Sequence, residues 1–208
     1  MANTLRSPGE EAKAKSADAA AAPRNTGGGL GYSYRYPRNI VSWFFLARRH
    51  AYVRSILRNS MNLDLGCGPH KITTGSVGAD LRSEKRPDVV CSVLDLPFAD
   101  GSFESCTMLE VIEHMDMEKQ RRALGEVNRV LEDRGQFIIS TPNLISGLFR
   151  IVWWFWERTY GREWLHEHVG MISTEEVQEV LRSLGFEVVT NRRIAVFDRV
   201  LGAEKRPA

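Results

Sequence analysis

The sequence predicts an α/β domain with a largely parallel sheet, and three observations carry that prediction. Beyond Arg58, short apolar runs alternate with helical stretches, the order that puts helices on the faces of parallel strands. One of those runs passes directly into a Gly-x-Gly turn at Gly66-Cys67-Gly68, as strand ends do where open α/β sheets bind ligands. Two apolar runs near the C-terminus, joined by a short polar stretch, predict an antiparallel final pair.

In chain order, residues 1–30 carry eight alanines, three consecutive glycines and no aromatic residue. They cannot bury enough surface to offset ordering entropy and are expected to form a disordered tail. Residues 31–58 form an N-terminal basic, aromatic cap. No acidic residue occurs between Asp18 and Asp64, while apolar residues from Ile40 to Leu57 recur at helical spacing, so a basic amphipathic helix is expected from Asn39 to Arg58. Its arginines are expected either in water or facing a partner. Residues 59–208 form the main domain, with strands expected at Met61–Leu65, Ser76–Leu81, Asp88–Leu94, Ser105–Leu109 and Gln136–Thr141. A helix over Glu118–Leu131 carries the stripe Ala123, Leu124, Val127, Val130, Leu131. A second helix opens on Ser173 and Glu176 in capping-box spacing and stops at Gly185. Strands at Phe186–Thr190 and Ile194–Val200 follow, and the stretch between them is expected to be a tight turn.

Composition narrows the function. The 208 residues are 43% hydrophobic and 26% charged, an ordinary globular balance. The formal charge of +2 is too small for bulk electrostatic attraction to nucleic acid, so any basic surface must be local. Cys67, Cys91 and Cys106 have no metal-type spacing and no even partner set, which argues against a disulfide framework or zinc knuckle. No apolar run reaches the roughly 18–20 residues needed to span a bilayer. A cytoplasmic protein is expected, with peripheral membrane contact as an addition.

The glycine turn does not fit a dinucleotide. The fingerprint's third glycine position holds Lys71, and Pro69 removes an N–H that could cradle a pyrophosphate. A nucleoside without phosphates fits better. Asp80 ends the second strand, where a carboxylate accepts from ribose hydroxyls. Asp95 closes the third strand and is placed to accept from an adenine amino group, with Leu96 and Phe98 beside it for apolar contact.

With Leu63-Asp64-Leu65-Gly66-Cys67-Gly68, Gly78-Ala79-Asp80, Asp95-Leu96-Pro97-Phe98 and Ser140-Thr141-Pro142-Asn143 in place, the sequence resembles the class I S-adenosylmethionine-dependent methyltransferases over about Asn62 to Val200. The resemblance implies a Rossmann-like, seven-stranded, mostly parallel sheet with an antiparallel last strand and helices on both faces. It implies S-adenosylmethionine as cofactor. Asp64, Gly66 and Gly68 would then cradle the methionyl end, Asp80 the ribose, Asp95 and Leu96 the adenine, with Leu109 near the sulfonium.

Glu110, Glu113 and His114 follow the fourth strand at i, i+3 and i+4, on one face if the segment is helical. With a later histidine, the pattern is similar to the ubiquinone-pathway O-methyltransferases and the small-RNA 2′-O-methyltransferases. That similarity implies a divalent ion, Mg²⁺, Mn²⁺ or Zn²⁺, held by Glu110, Glu113, His114 and His168, with His166 as competitor for the last place. Two other readings stand beside it: His114 or His168 as a general base without metal, or a purely structural cluster.

Four of the five tryptophans fall in an insert over residues 144–168, read as a lid over an apolar acceptor, an interfacial membrane segment, or a packed cap. The functional expectation is an enzyme methylating an oxygen of a small apolar, lipid-linked or glycan acceptor. The alternatives are an RNA ribose 2′-O-methyltransferase, which the small net charge opposes, and a catalytically silent cofactor-binding subunit.

Overall fold

In the computed structural model the described residues are 40–58, 62–142, 172–194 and 198–207. The expected tail, the aromatic insert, His166 and His168 lie outside them. One helix, α1 (Ile40–Ile56), precedes a sheet of seven strands: β1 (Asn62–Leu65), β2 (Val77–Asp80), β3 (Val89–Val90), β4 (Phe103–Leu109), β5 (Leu131–Pro142), β6 (Phe186–Ile194) and β7 (Asp198–Lys205). Helix α2 (Met117–Val130) joins β4 to β5, and α3 (Thr174–Ser183) precedes β6. The order across the sheet is β3-β2-β1-β4-β5-β7-β6, with β7 antiparallel to both neighbours and the other pairs parallel. This is the expected Rossmann-like topology, and it brings the ends of β1, β2, β4 and β5 to one edge.

Strand alternation gives the sheet two unlike faces. Leu63, Leu65, Cys106, Met108, Phe137, Ile139, Leu201 and Ala203 point into the larger core, where Leu124 and Val127 of α2 and Val177 and Leu181 of α3 close over them. Ala123, Leu124, Val127 and Val130 of α2 are fully buried, as the spacing predicts, while Leu131, expected in the helix, opens β5. The opposite face carries a buried polar row, Asn62, Asp64, Ser105, Thr107, Gln136, Ser140 and Asp198, broken by a small cluster of Val53, Ile72, Ile138, Ile194 and Val200.

Such a face must satisfy its polar atoms, and α1 is held by doing so. The Gln136 side chain donates to the Ile56 carbonyl (2.9 Å) and accepts from the Arg58 amide (2.9 Å), capping the helix end. Arg54 Nε donates to the Ile72 carbonyl (2.7 Å), and Arg58 pairs with Glu204 (2.7 Å).

Helix α3 begins with the expected capping box: Ser173 Oγ accepts from the Glu176 amide (3.2 Å) and Glu176 accepts from the Ser173 amide (2.8 Å). The final hairpin departs from expectation. Asn191, Arg192 and Arg193 lie inside β6, and residues 195–197 separate the strands. Continuous pairing of β7 with β5, from Gln136↔Glu204 to Pro142↔Asp198, fixes the register and extends β7 to Lys205. No helix among the described residues is long and apolar enough to cross a membrane.

Leu124 is fully buried at the contact of α2 with the sheet. Leu124→Ala is expected to cost about 2–5 kcal/mol, through lost transfer energy and a residual cavity, as measured by the urea midpoint at unchanged slope.

Candidate functional site

At the end of β1, Gly66 and Gly68 both adopt left-handed backbone, φ 68° and 56°. A Cβ at Gly66 would collide with the Val111 side chain, whereas one at Gly68 would enter open space. The first glycine is therefore required by packing and the second leaves room above the turn. The turn is tied to β2: the Gly66 and Cys67 amides donate to the Ala79 carbonyl (2.8 and 3.2 Å), and the Gly68 amide donates to Asp80 Oδ2 (3.0 Å). Asp80 Oδ1 accepts from the Arg82 amide (2.9 Å).

Asp64 works beneath the turn. Its Oδ2 accepts from the Ile72 amide (2.7 Å) and its Oδ1 from the Thr107 hydroxyl (2.8 Å), while Thr107 also accepts from Asn62 Nδ2 (2.7 Å). Burial pushes the carboxyl up to about 6 against these hydrogen bonds. Its part in the site is to fix the loop that follows the glycines.

Leu96 and Phe98, expected to offer apolar contact, are both buried. Phe98 packs edge-on against Phe103 (5.0 Å between ring centres), Leu96 is 3% exposed, and its amide donates to Glu126 (2.7 Å). Both belong to the core because the turn after β3 folds back under α2. Asp95 is exposed at that turn, and Leu109 packs against the small cluster on the polar face.

The helical face expected for Glu110, Glu113 and His114 does not form. Glu110 has φ 54°, and only Ile112–His114 make a single 3₁₀ turn. Left-handed backbone at a non-glycine residue costs about 1–3 kcal/mol. Here β5 holds it: the Glu110 amide donates to the Ser140 carbonyl (3.2 Å) and the Ser140 hydroxyl donates to Glu110 Oε1 (2.7 Å).

A cation from α1 completes this cluster. Arg49 Nη1 lies 3.0 Å from Asp198 Oδ2 and 3.4 Å from Glu110 Oε1. It is 8% exposed and departs from the expectation of solvated or partner-facing arginines, which the exposed Arg48, Arg54 and Arg58 meet. Glu113 is 3% exposed, and its Oε2 has no partner among the described residues. Burial and then Glu110 push the Glu113 carboxyl well above the ordinary range, and the same two causes raise Asp198 to about 7. Glu113 and Asp198 are thus both raised by burial and by the neighbouring Glu110 carboxylate, with Arg49 opposing the rise.

A metal set is not supported by this arrangement. Glu110 is committed to Ser140 and Arg49, the guanidinium already serves as the cation, and no metal-type group of His, Cys, Asp and Glu converges among the described residues. Half-buried His114 ends the 3₁₀ turn. The thiols are not nucleophiles: burial first, then nearby carboxylates, push Cys67 to about 12, Cys91 to about 11, and Cys106 well upward.

Arg49, Ser140 and Asp198 are the participants that sequence reasoning missed. The available signal for Arg49 was its place four residues before Val53, on the face of α1 that packs.

The methyltransferase domain family matches residues 63–139. An uncharacterised protein of Methanocaldococcus jannaschii is 28% identical over 174 residues, 69% of this chain and 68% of that protein. A tRNA (carboxymethyluridine(34)-5-O)-methyltransferase of Xenopus tropicalis is 31% identical over 121 residues, 48% of this chain but 19% of that protein. Among solved structures, the 1,6-didemethyltoxoflavin-N1-methyltransferase of Burkholderia thailandensis, with 1,6-didemethyltoxoflavin and S-adenosylhomocysteine bound, is similar with a TM-score of 0.61. It shares 18% identity, covering 100% of this chain and 94% of that one.

Because the folded pKa of Asp64 is raised, its contribution to stability is full below about 3.8 and is lost as pH rises through about 6. Thermal melts between pH 4 and 6 are expected to show a shallower loss of stability for Asp64→Asn than for the unaltered chain.

Proposed function

We propose that this chain, whose residues 63–139 match the methyltransferase domain family, uses S-adenosylmethionine to methylate an oxygen of a small apolar, lipid-linked or glycan acceptor bound beside the β4 and β5 ends. The residues present fit the cofactor. Gly68 leaves open space above a turn braced from below, Asp80 places a carboxylate at the end of β2, and the exposed Asp95 places one in the turn five residues beyond β3. In this reading Gly66 and Gly68 bear the methionyl end, Asp80 lies along the ribose, and Asp95 accepts from the adenine amino group. Bound S-adenosylmethionine supplies an electrophilic methyl on a sulfonium, so no covalent enzyme nucleophile is needed.

What remains for the protein is to orient an acceptor hydroxyl and take its proton. The observation that carries the oxygen assignment is the carboxylate cluster at the β4 end, with Glu113 and Asp198 both raised toward the range where a carboxylate exchanges protons near neutrality. Glu113 is the candidate base on this account, with His114 and His168 as the histidine alternatives. Arg49 and Ser140 hold the Glu110 turn that leads to it.

A second reading, methylation of RNA, draws on the similarity to the frog tRNA methyltransferase and on the basic α1, and the net charge of +2 opposes it. Incubating a host extract with methyl-labelled cofactor and separating organic, aqueous and nucleic-acid fractions distinguishes them. Label is expected outside the nucleic-acid fraction, and label confined to it would contradict the proposal. Glu113→Gln is expected to lower kcat by about 10²–10⁴-fold with little change in cofactor affinity. A rate within about twofold of the unaltered chain would remove Glu113 from the chemistry.

A further inference from the structure

We infer that the hollow between α1 and the loop after the glycine turn is a phosphoryl-anion subsite, which receives a phosphate of the acceptor. The inference rests on the methyltransferase reading and narrows its substrate class to phosphorylated acceptors.

The hollow holds about 570 Å³, within the range of small-ligand sites. From α1 it is lined by His50 and Arg54, and from the loop by His70, Lys71, Thr73 and Thr74. No acidic residue is among its described lining. Arg54 and His50 of α1 line one side of the gap and His70, Lys71 and Thr74 of the loop the other, with the Thr73 hydroxyl engaged by Ser76 (2.8 Å). Cationic and hydroxyl donors from separate chain segments are the chemistry of an anion site.

The charges are not all spent. Lys71 is neutralised by Asp88 (2.7 Å). Arg54 gives only Nε to the Ile72 carbonyl, which orients its guanidinium while its Nη groups bond no described residue. His70 is exposed and also bonds none of the described residues. Burial first, then Arg49, Arg54 and His70, push the His50 imidazole down to about 4, so it lines the hollow as a neutral ring.

The subsite is distinct from the cofactor's strand-end carboxylates. Pro69 lines it, so the hollow opens beside the glycine turn, but Asp80, Asp95, Gly66 and Gly68 are not among its described lining residues. Arg54 and His50 lie before residue 63, outside the segment matched by the methyltransferase domain family, so this wall is supplied by the chain's own N-terminal helix. A phosphate ester, with several acceptor oxygens on one centre, matches the forked Nη donors of Arg54 together with His70 and the Thr74 hydroxyl.

The test is calorimetric titration of the full chain with inorganic pyrophosphate, with and without saturating S-adenosylhomocysteine. Saturable binding is expected, with affinity changed less than about twofold by the nucleoside. It should weaken at least about tenfold in Arg54→Gln and in His70→Gln, the second variant leaving the Arg54–Ile72 bond intact. Absence of saturable binding, equal affinity in both variants, or competition by S-adenosylhomocysteine would overturn the subsite. Displacement of pyrophosphate by phosphatidylglycerol vesicles supports it with a lipid headgroup as the source, and displacement by glycerol phosphate alone supports it with a soluble acceptor. Displacement only by a single-stranded oligoribonucleotide overturns it in favour of a nucleic-acid acceptor. Pyrophosphate binding without any S-adenosylhomocysteine binding would leave the anion site standing and remove the methyltransferase reading instead.

Discussion

The buried carboxylate of Asp64 is the constraint on which the glycine turn depends. It sits on the polar face of the sheet and receives one hydrogen bond from the Thr107 side chain and one from the Ile72 backbone. Hydrogen bonds to a charged group contribute about 1.5–3 kcal/mol each, while burying the charge costs several kcal/mol. The balance is visible in the carboxyl itself, pushed up to about 6 rather than down. Burial wins slightly, and the structure accepts that cost to fix residues 66–72 in one conformation. Asp80 then ties the second glycine to the neighbouring strand.

The same logic shapes the other end of the polar face. Glu110, Glu113 and Asp198 approach one another there only because Arg49 enters from α1, and the left-handed turn at Glu110 survives only because Ser140 holds it twice. Removing one partner from a buried ion pair costs about 3–5 kcal/mol, far more than a surface pair contributes. The helix is therefore part of the site as well as its cover. It supplies the central cation of the carboxylate cluster on one turn and, on the next, one wall of the hollow beside the glycine loop.

Much of this was legible in the sequence because local rules and the fold agree. An apolar run ending in Gly-x-Gly, a stripe at helical period, and Ser173 with Glu176 in capping spacing each determine structure through neighbouring residues, and each stands where expected. What was not legible depended on register and on distant partners. Asn191, Arg192 and Arg193 read as a turn by composition, but pairing along β7 keeps them in a strand. Arg49 read as a solvated arginine, since a buried guanidinium is explained only by Asp198, 149 positions away. Phe98 read as a ligand contact because nothing local reveals the edge-on packing with Phe103. The spacing of Glu110, Glu113 and His114 suggested a helix, but the hydrogen bonds to Ser140 bend the chain before one can start.

We propose that the edge of the sheet formed by β1, β2 and β3 holds an adenosyl sulfonium above the glycine turn. Calorimetric titration of S-adenosylhomocysteine into the unaltered chain and into Asp80→Ala tests it most directly. The account predicts one saturable site per chain, thermal protection of about 2.7 kcal/mol at a hundredfold excess over Kd, and at least a tenfold weaker site in the variant. No heat and no thermal protection in the unaltered chain, or equal affinity in the two proteins, would contradict it.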